Sequence, residues 1–448
     1  MLRALEASHP RLRGLEDLIR LAWPVVLARL GIMVMGLTDA IVVGRYAAQE
    51  LAFHSIAWAP TSIVLTTAVG LLLGVQVMAA RLTGEGRHGE VGAVLRRGLV
   101  YSLQIGLAAM IALVLAGPWA LVRAGLEPGL GEGAVWPLII FSLSLPAYLV
   151  SVVATFFLEA LGRPKPGMIA MWVANLVNLG LNLWLVPGHG VPIDGAVGAA
   201  WATFGARLTL AVFLIVFILR LPEARHWNLW GCQTHERATA REQRRVGYGA
   251  GASYFIEVGA FAAMSFVAGW LGGLEVAAWT IVLNVAAMVF MVPMGVGGAT
   301  AVLVARAYGA RSRADVLQAG GLGFGLTVVL TGVIGLVVWL GAGAIARVYA
   351  TDEALIALIV PALVLSCLFF VADGLQVVAA QAVRAAGDVW WPTIMHVVSY
   401  SLIMLPLGYV FAHPLGLGVD GIVWSVIVAS LVSASLLCGR FVRVGRRV

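Results

Sequence analysis

The chain has 448 residues, of which 61% are hydrophobic and 11% charged, and its mean hydropathy is +0.96. A soluble domain is about half apolar and about a quarter charged, so the composition excludes a water-soluble protein and implies a polytopic membrane protein. The net charge of +7 does not signal nucleic acid, because the basic residues are spread along the chain rather than gathered with aromatics on one face.

A span needs about 20 apolar residues to cross a hydrocarbon core of about 30 Å. Twelve such helices are expected, over 17–43, 51–79, 98–122, 135–160, 166–187, 195–219, 247–271, 276–305, 316–342, 356–383, 391–411 and 417–439. The first is of full span length and lacks a small-residue cleavage site after it, so it reads as an uncleaved helix. It carries Arg29 and Asp39. The second carries His54, placed at its outer mouth, and Trp58; Glu159 closes the fourth and is expected to reach the inner surface. The fifth holds Asn175, Asn178 and Asn182, spaced three and four apart and therefore on one face, and the sixth holds Thr203 and Arg207.

A polar stretch follows, from about Arg220 to Tyr248, with His226, Asn228, Gln233, Glu236 and the run Arg237, Arg241, Arg244 and Arg245. It suits a tether between two moving lobes. Beyond it, Glu257 lies near the middle of the seventh helix, Trp279, Asn284, Met288, Phe290 and Met291 line the eighth, and Phe369 and Asp373 sit in the tenth.

Positive charge gives the orientation. If the amino terminus is inside, only Arg45, Arg123 and Arg347 fall in outer loops, Arg29 and Arg207 lie in spans, and the remaining Lys and Arg are inner, including the tail Arg440, Arg443, Arg446 and Arg447. Both termini are then cytoplasmic. Cys232, Cys367 and Cys438 fall in an inner loop and two helices, which argues against a disulfide framework.

The chain also repeats itself. One constant shift sets Gly44, Glu50, Ala52, Ile56, Gly70, Ala80, Arg81 and Gly84 on Gly269, Glu275, Ala277, Ile281, Gly295, Ala305, Arg306 and Gly309, and Gly162 on Gly387. Two six-helix halves of the same direction are expected, 1–219 and 247–448, joined by a cytoplasmic linker at 220–246.

Asp39, Glu257 and Asp373 stand out because an ionisable group in hydrocarbon costs at least about 3 kcal/mol and usually faces a cavity or a partner. Burial and a neighbouring carboxylate both disfavour the charged form, which suits Glu257 and Asp373 to hold a proton or exchange it for Na+. Oxygen ligands also suit a hard cation. Around Asp39, the asparagine face and Thr203 form a polar pocket fit for a proton or cation. Arg29 and Arg207 are possible partners of a carboxylate, and packing or snorkelling is their simpler role. The asparagines could equally join neighbouring helices. Trp58, Trp279, Met288, Phe290 and Met291 could line a cavity for flat organic cations or pack in the core.

At these residues the chain resembles the multidrug and toxic compound extrusion (MATE) family, in its NorM-like branch. The likeness is carried by Met35-Gly-Leu-Thr-Asp39 with Gly44-Arg45, by Leu161-Gly-Arg-Pro-Lys-Pro166, by Leu283-Asn284 with Phe290-Met-Val-Pro-Met294, and by Asp373-Gly-Leu-Gln-Val-Val378. The resemblance implies an all-α fold of two six-helix lobes in a V, exporting cationic or amphipathic drugs in exchange for Na+ or H+. It implies cation carboxylates at Glu257 and Asp373, Na+ being the metal they would hold, with Phe290 beside them. It implies a first-lobe acid at Asp39 with Asn178 and Thr203 around it. Asn182 stands where some members carry a second acid, which favours a proton over Na+ at Asp39. Phe369 stands where some carry a tyrosine, so a hydroxyl ligand is expected to be missing there; with Trp58, Met288 and Met291 it is a candidate for the substrate cavity.

No cofactor beyond the coupling ion is expected, and neither is an enzyme: HExxH and GxSxG motifs are absent, as is a GxxxxGK loop for ATP. The expected setting is the inner membrane, with small organic cations and membrane lipid as partners, no nucleic acid, and a monomer as the working unit. The alternative is a flippase or exporter of a lipid-linked or other amphipathic metabolite, which would use Arg29 and Arg207 for phosphate.

Overall fold

The computed structural model describes residues 10–123, 129–224, 227–228 and 237–448, with side chains from Gly14 onward. His226, Cys232, Gln233 and Glu236 lie outside the described residues. The described chain is helical throughout and contains 12 helices long and apolar enough to cross a membrane. In hydrocarbon every backbone N–H and C=O must be satisfied within the segment, and a helix does this. The helices are α1 (Pro10–Tyr46), α2 (Ala48–Gly84), α3 (His88–Val122), α4 (Leu130–Ala160), α5 (Lys165–Leu185), α6 (Gly195–Leu219), α7 (Arg237–Leu271), α8 (Gly273–Gly309), α9 (Arg313–Tyr349), α10 (Glu353–Ala385), α11 (Trp390–Ala412) and α12 (Gly418–Gly445).

The helices divide into two compact units, Leu30–Gly251 and Ala252–Val448, the second completed by α1 up to Arg29. These borders fall inside α1 and α7, whereas the sequence repeat divides the chain at its linker. The reason is close packing that register alone does not reveal. A Cβ on Gly74 of α2 would collide with the backbone of Gln243, and one on Gly247 with the backbone of Leu71, so the start of α7 is sealed onto α2 in the first unit. In the second unit a Cβ on Gly295 of α8 would come within 2.8 Å of Val26 Cα on α1, so the glycine is what permits this approach. Small residues at such crossings let membrane helices pack by van der Waals contact.

Depth in each unit follows from what the sequence offers a helix to face. The most apolar window of α3 is 17% buried and that of α9 22%, against 61% for α2 and α12 and 67% for α4. On α3 the exposed side chains are Leu103, Leu107, Ile111 and Leu115, and on α9 Val329, Val333, Leu336 and Leu340. Spacing of four on α3, and of three and four on α9, is one apolar face turned outward. At the other extreme α10, the helix of Asp373, packs against α8, α9 and α12.

The described part of the linker packs within the first unit. Trp227 is buried and meets Phe157 edge-on with ring centroids 6.0 Å apart. Gly92 N–H donates to Trp227 O at 3.0 Å, and Arg96 Nη1 to Asn228 O at 2.6 Å. Arg163 forks onto both carboxylate oxygens of Glu223 and holds that carboxyl below its usual range. All these contacts lie within the first unit.

One helix departs from α geometry. Val397–Met404 of α11 is a π-helix, followed at once by Leu405–Ala412 with Pro406 in its first turn. Proline has no N–H to return to the carbonyl four residues back, and a wider turn ahead of it accommodates that loss. The wide turn carries Tyr400.

Candidate functional site

In the first unit three helices enclose the acid Asp39. Asp39 of α1 is 3% exposed. Its Oδ1 accepts from Asn178 Nδ2 at 2.9 Å and Asn182 Nδ2 at 2.7 Å, both on α5. Its Oδ2 accepts from Thr203 Oγ1 of α6 at 2.6 Å. A carboxylate only accepts, so the amide nitrogens turn toward it. The Oδ1 atoms of Asn178 and Asn182 are then left buried without a donor. Asn175, one turn earlier, is turned elsewhere: its Nδ2 donates to Gly31 O at 3.0 Å and Met171 O at 2.9 Å, tying α5 to α1.

Two basic groups lie within electrostatic reach of Asp39. Arg207 is buried, donates through Nη1 to Ser144 Oγ at 2.6 Å, and stacks over Tyr148 at 4.9 Å and Trp58 at 5.5 Å. Its hydrogen bond therefore goes to a serine rather than to the acid. His54 is 7% exposed and meets Phe141 edge-on at 5.3 Å, so its side chain faces the protein. The expectation that Glu159 reaches the inner surface is corrected. This residue is 3% exposed and accepts from Gln76 Nε2 at 2.6 Å, because a partner on α2 compensates its burial.

The second unit brings two acids to one amide. Gln376 Nε2 donates to Glu257 Oε1 of α7 at 3.2 Å and to Asp373 Oδ1 of its own helix at 3.4 Å. All three residues are buried. Tyr400 OH, from the π-helical turn of α11, donates to Asp373 Oδ1 at 3.1 Å, and Ser430 of α12 lies beside this acid. On the far side of Glu257, His396 Nδ1 stands 3.9 Å from Oε2. Gln376 Oε1 is buried without a donor. Two carboxylates, a hydroxyl and an amide oxygen are the donor set a hard monovalent cation prefers. Among the described residues no group of three or more His, Cys, Asp or Glu is placed to hold a metal ion.

Gln376, Tyr400, His396, Ser430 and Arg384 had no role in the sequence reading. Gln376 lies three residues after Asp373 and so shares its face. Tyr400 falls on Asn175 under the shift that aligns the halves. The hydroxyl missing at Phe369 is thus present, supplied from another helix. Phe369 itself is 2% exposed and packs on Phe370 in the core with ring centroids 5.1 Å apart. It fills the bundle instead of opening on a cavity. Met291 is also buried, Phe290 and Trp58 are half-buried, and Met288 and Asn284 are exposed on α8.

The sequence profile of the MatE family matches this chain in two stretches, 24–184 and 250–410. A probable multidrug resistance protein NorM from Caulobacter vibrioides is 55% identical over 442 residues, 98% of this chain and 94% of that protein. The multidrug resistance protein PmpM of Pseudomonas aeruginosa is 30% identical over 454 residues, 97% of this chain and 92% of that one. Among solved structures, the eukaryotic MATE transporter AtDTX14 matches with a TM-score of 0.89 and 17% identity over 98% of each chain. A multidrug resistance MATE family transporter in an outward-facing conformation matches with a TM-score of 0.89 and 19% identity, over 97% of this chain and 96% of its own. At such identities these two likenesses speak to the fold alone.

Proposed function

The chain belongs to the MatE family of membrane transporters, which are not enzymes, and on that premise we propose that it is a secondary multidrug efflux antiporter. It exports cationic or amphipathic organic compounds in exchange for H+ or Na+ by alternating access, from the inner membrane, with both termini cytoplasmic. The observation that carries this reading is the pair Glu257 and Asp373 sharing Gln376 Nε2 in a buried site.

In this reading a cation arriving from outside neutralises the pair, and Asp39 takes a proton within its shell of Asn178, Asn182 and Thr203. The charge difference between loaded and empty sites biases the two access states. A ligand shifts such an equilibrium only through different affinities for the two states, so organic cation and coupling ion compete directly or through conformation. Trp58, beside Arg207, and the outward face of α8 with Asn284 and Met288 are candidate substrate contacts.

Ethidium movement in proteoliposomes, driven in turn by an imposed Na+ gradient and an imposed pH gradient, tests the proposal. Movement with the Na+ gradient at constant pH assigns Na+ to Glu257 and Asp373; movement with the pH gradient alone makes the acids proton carriers. Failure of several cationic dyes to move under either gradient overturns the antiport reading.

A further inference from the structure

One cation of the first unit is held on aromatic rings. Arg207 of α6 is 4% exposed, and its guanidinium lies 4.9 Å from the ring centre of Tyr148 on α4 and 5.5 Å from that of Trp58 on α2. Its Nη1 donates at 2.6 Å to Ser144 Oγ, one turn before Tyr148. Phe141, one turn earlier again, is buried and braces Trp58 edge-on with ring centroids 5.4 Å apart. Tyr148 is buried, whereas Trp58 is half-buried and keeps part of its indole open.

This is the chemistry of a site for organic cations. A guanidinium is planar, delocalised and weakly hydrated, and for those reasons it stacks on aromatic faces; a phenanthridinium ring shares the same properties. Tryptophan attracts a cation within about 6 Å of its ring centre most strongly, tyrosine also does so, and the attraction grows when both partners leave water. The two faces therefore suit a flat cation, but one already occupies them. A second cation on the same rings meets the guanidinium at short range in a medium of low dielectric, where like charges repel strongly. The constant shift that aligns the halves sets Tyr148 on Asp373, Ser144 on Phe369 and Trp58 on Leu283. The second half thus has a carboxylate where the first has this aromatic face.

We propose that Arg207 is a resident competitor: its guanidinium holds the faces of Trp58 and Tyr148 in place of a flat organic cation, and such a cation binds here by displacing it. Affinity is then set by how firmly Ser144 and the two rings retain the guanidinium. The site selects delocalised monovalent cations over neutral rings of the same shape. This inference rests on the drug-export reading above and names the place in the first unit where the organic cation is read. A purely structural tie of α6 to α4 would differ from it, since removing such a tie gains nothing for a ligand.

The test is equilibrium binding of ethidium to the purified wild type and variants in detergent at one pH, with phenanthridine, the uncharged parent ring, as the control. Arg207→Gln should bind ethidium about tenfold more tightly and phenanthridine with unchanged affinity. Arg207→Gln/Trp58→Leu should lose that gain. Ser144→Ala keeps the charge but releases the guanidinium from its hydrogen bond, so it should also bind ethidium more tightly, by about threefold or more. Ethidium binding that is unchanged or weaker in folded Arg207→Gln overturns the proposal. So does a gain that survives the loss of Trp58, which would reflect removal of a distant charge and not the opening of a stack. If Arg207→Gln does not fold, Ser144→Ala decides: no gain there overturns the proposal. Ethidium binding that follows the expected pattern without transport under either gradient would instead remove the antiport reading and leave the resident competitor standing.

Discussion

Tyr400 shows how much a single donor contributes at a buried acid. A hydrogen bond to a charged group is worth about 1.5–3 kcal/mol, so Tyr400→Phe, which keeps the ring packed, should weaken cation binding at Asp373 about 10- to 100-fold. The check is the Na+ or H+ concentration giving half-maximal ethidium movement, which should rise while the maximal rate is largely kept. Removing an acid is more drastic. Asp39→Asn, Glu257→Gln and Asp373→Asn are each expected to abolish uphill export while leaving the protein inserted and monodisperse. Uphill export by the Glu257 and Asp373 variants at the wild-type rate would take the coupling role from the pair.

At the scale of elements, α11 and the linker each make a local departure carry a consequence. Restoring a donor with Pro406→Ala removes the cause of the π-helical turn ahead of it. An α-helical register would swing Tyr400 off Asp373, so this variant should reproduce the weakened cation binding of Tyr400→Phe without loss of the hydroxyl. The linker contact between Arg163 and Glu223 has a pH signature. Its carboxyl titrates below the usual glutamate range, held down by the Arg163 hydrogen bond. The contact therefore supports docking at and above the usual glutamate range and is lost as pH falls through the lowered, folded value. Hydrogen exchange at the Gly92 amide, which donates to Trp227 O, should quicken in that acid range in the wild type and show no such step in Glu223→Gln.

Over the whole molecule, what the sequence made legible follows from what helical spacing can encode. Twelve apolar stretches and an asparagine row spaced three and four apart were readable because a regular helix turns that spacing into one face. The meeting of Asn178 and Asn182 with Asp39 could be anticipated, since the three lie on helices of one half. Tyr400 could not be aimed by a helical wheel, because the π turn changes the angle per residue across it. Glu159 was misjudged because Gly162 marks the helix end, while Gln76, its partner, lies on a distant helix. Topology remains a prediction of the basic residues alone: a carboxy-terminal fluorescent fusion should be bright and a carboxy-terminal alkaline phosphatase fusion inactive. Packing supplies a further one. Gly247→Val would drive a side chain into the Leu71 backbone, and overpacking of that kind typically costs about 1–3 kcal/mol, read as a lower melting temperature in detergent.

The borders inside α1 and α7 also bear on the order in which the protein is made. The ribosome delivers α1 first, but the stretch up to Arg29 belongs with helices that include α8, synthesised much later. The first unit in turn stays open on its α2 face until the start of α7 emerges. The start of α1 is thus among the last stretches to find its place, and a nascent chain halted at Leu219 holds neither unit complete. Severing the gene at the linker yields two fragments that each lack a piece held by the other, so only their co-expression should restore a folded transporter.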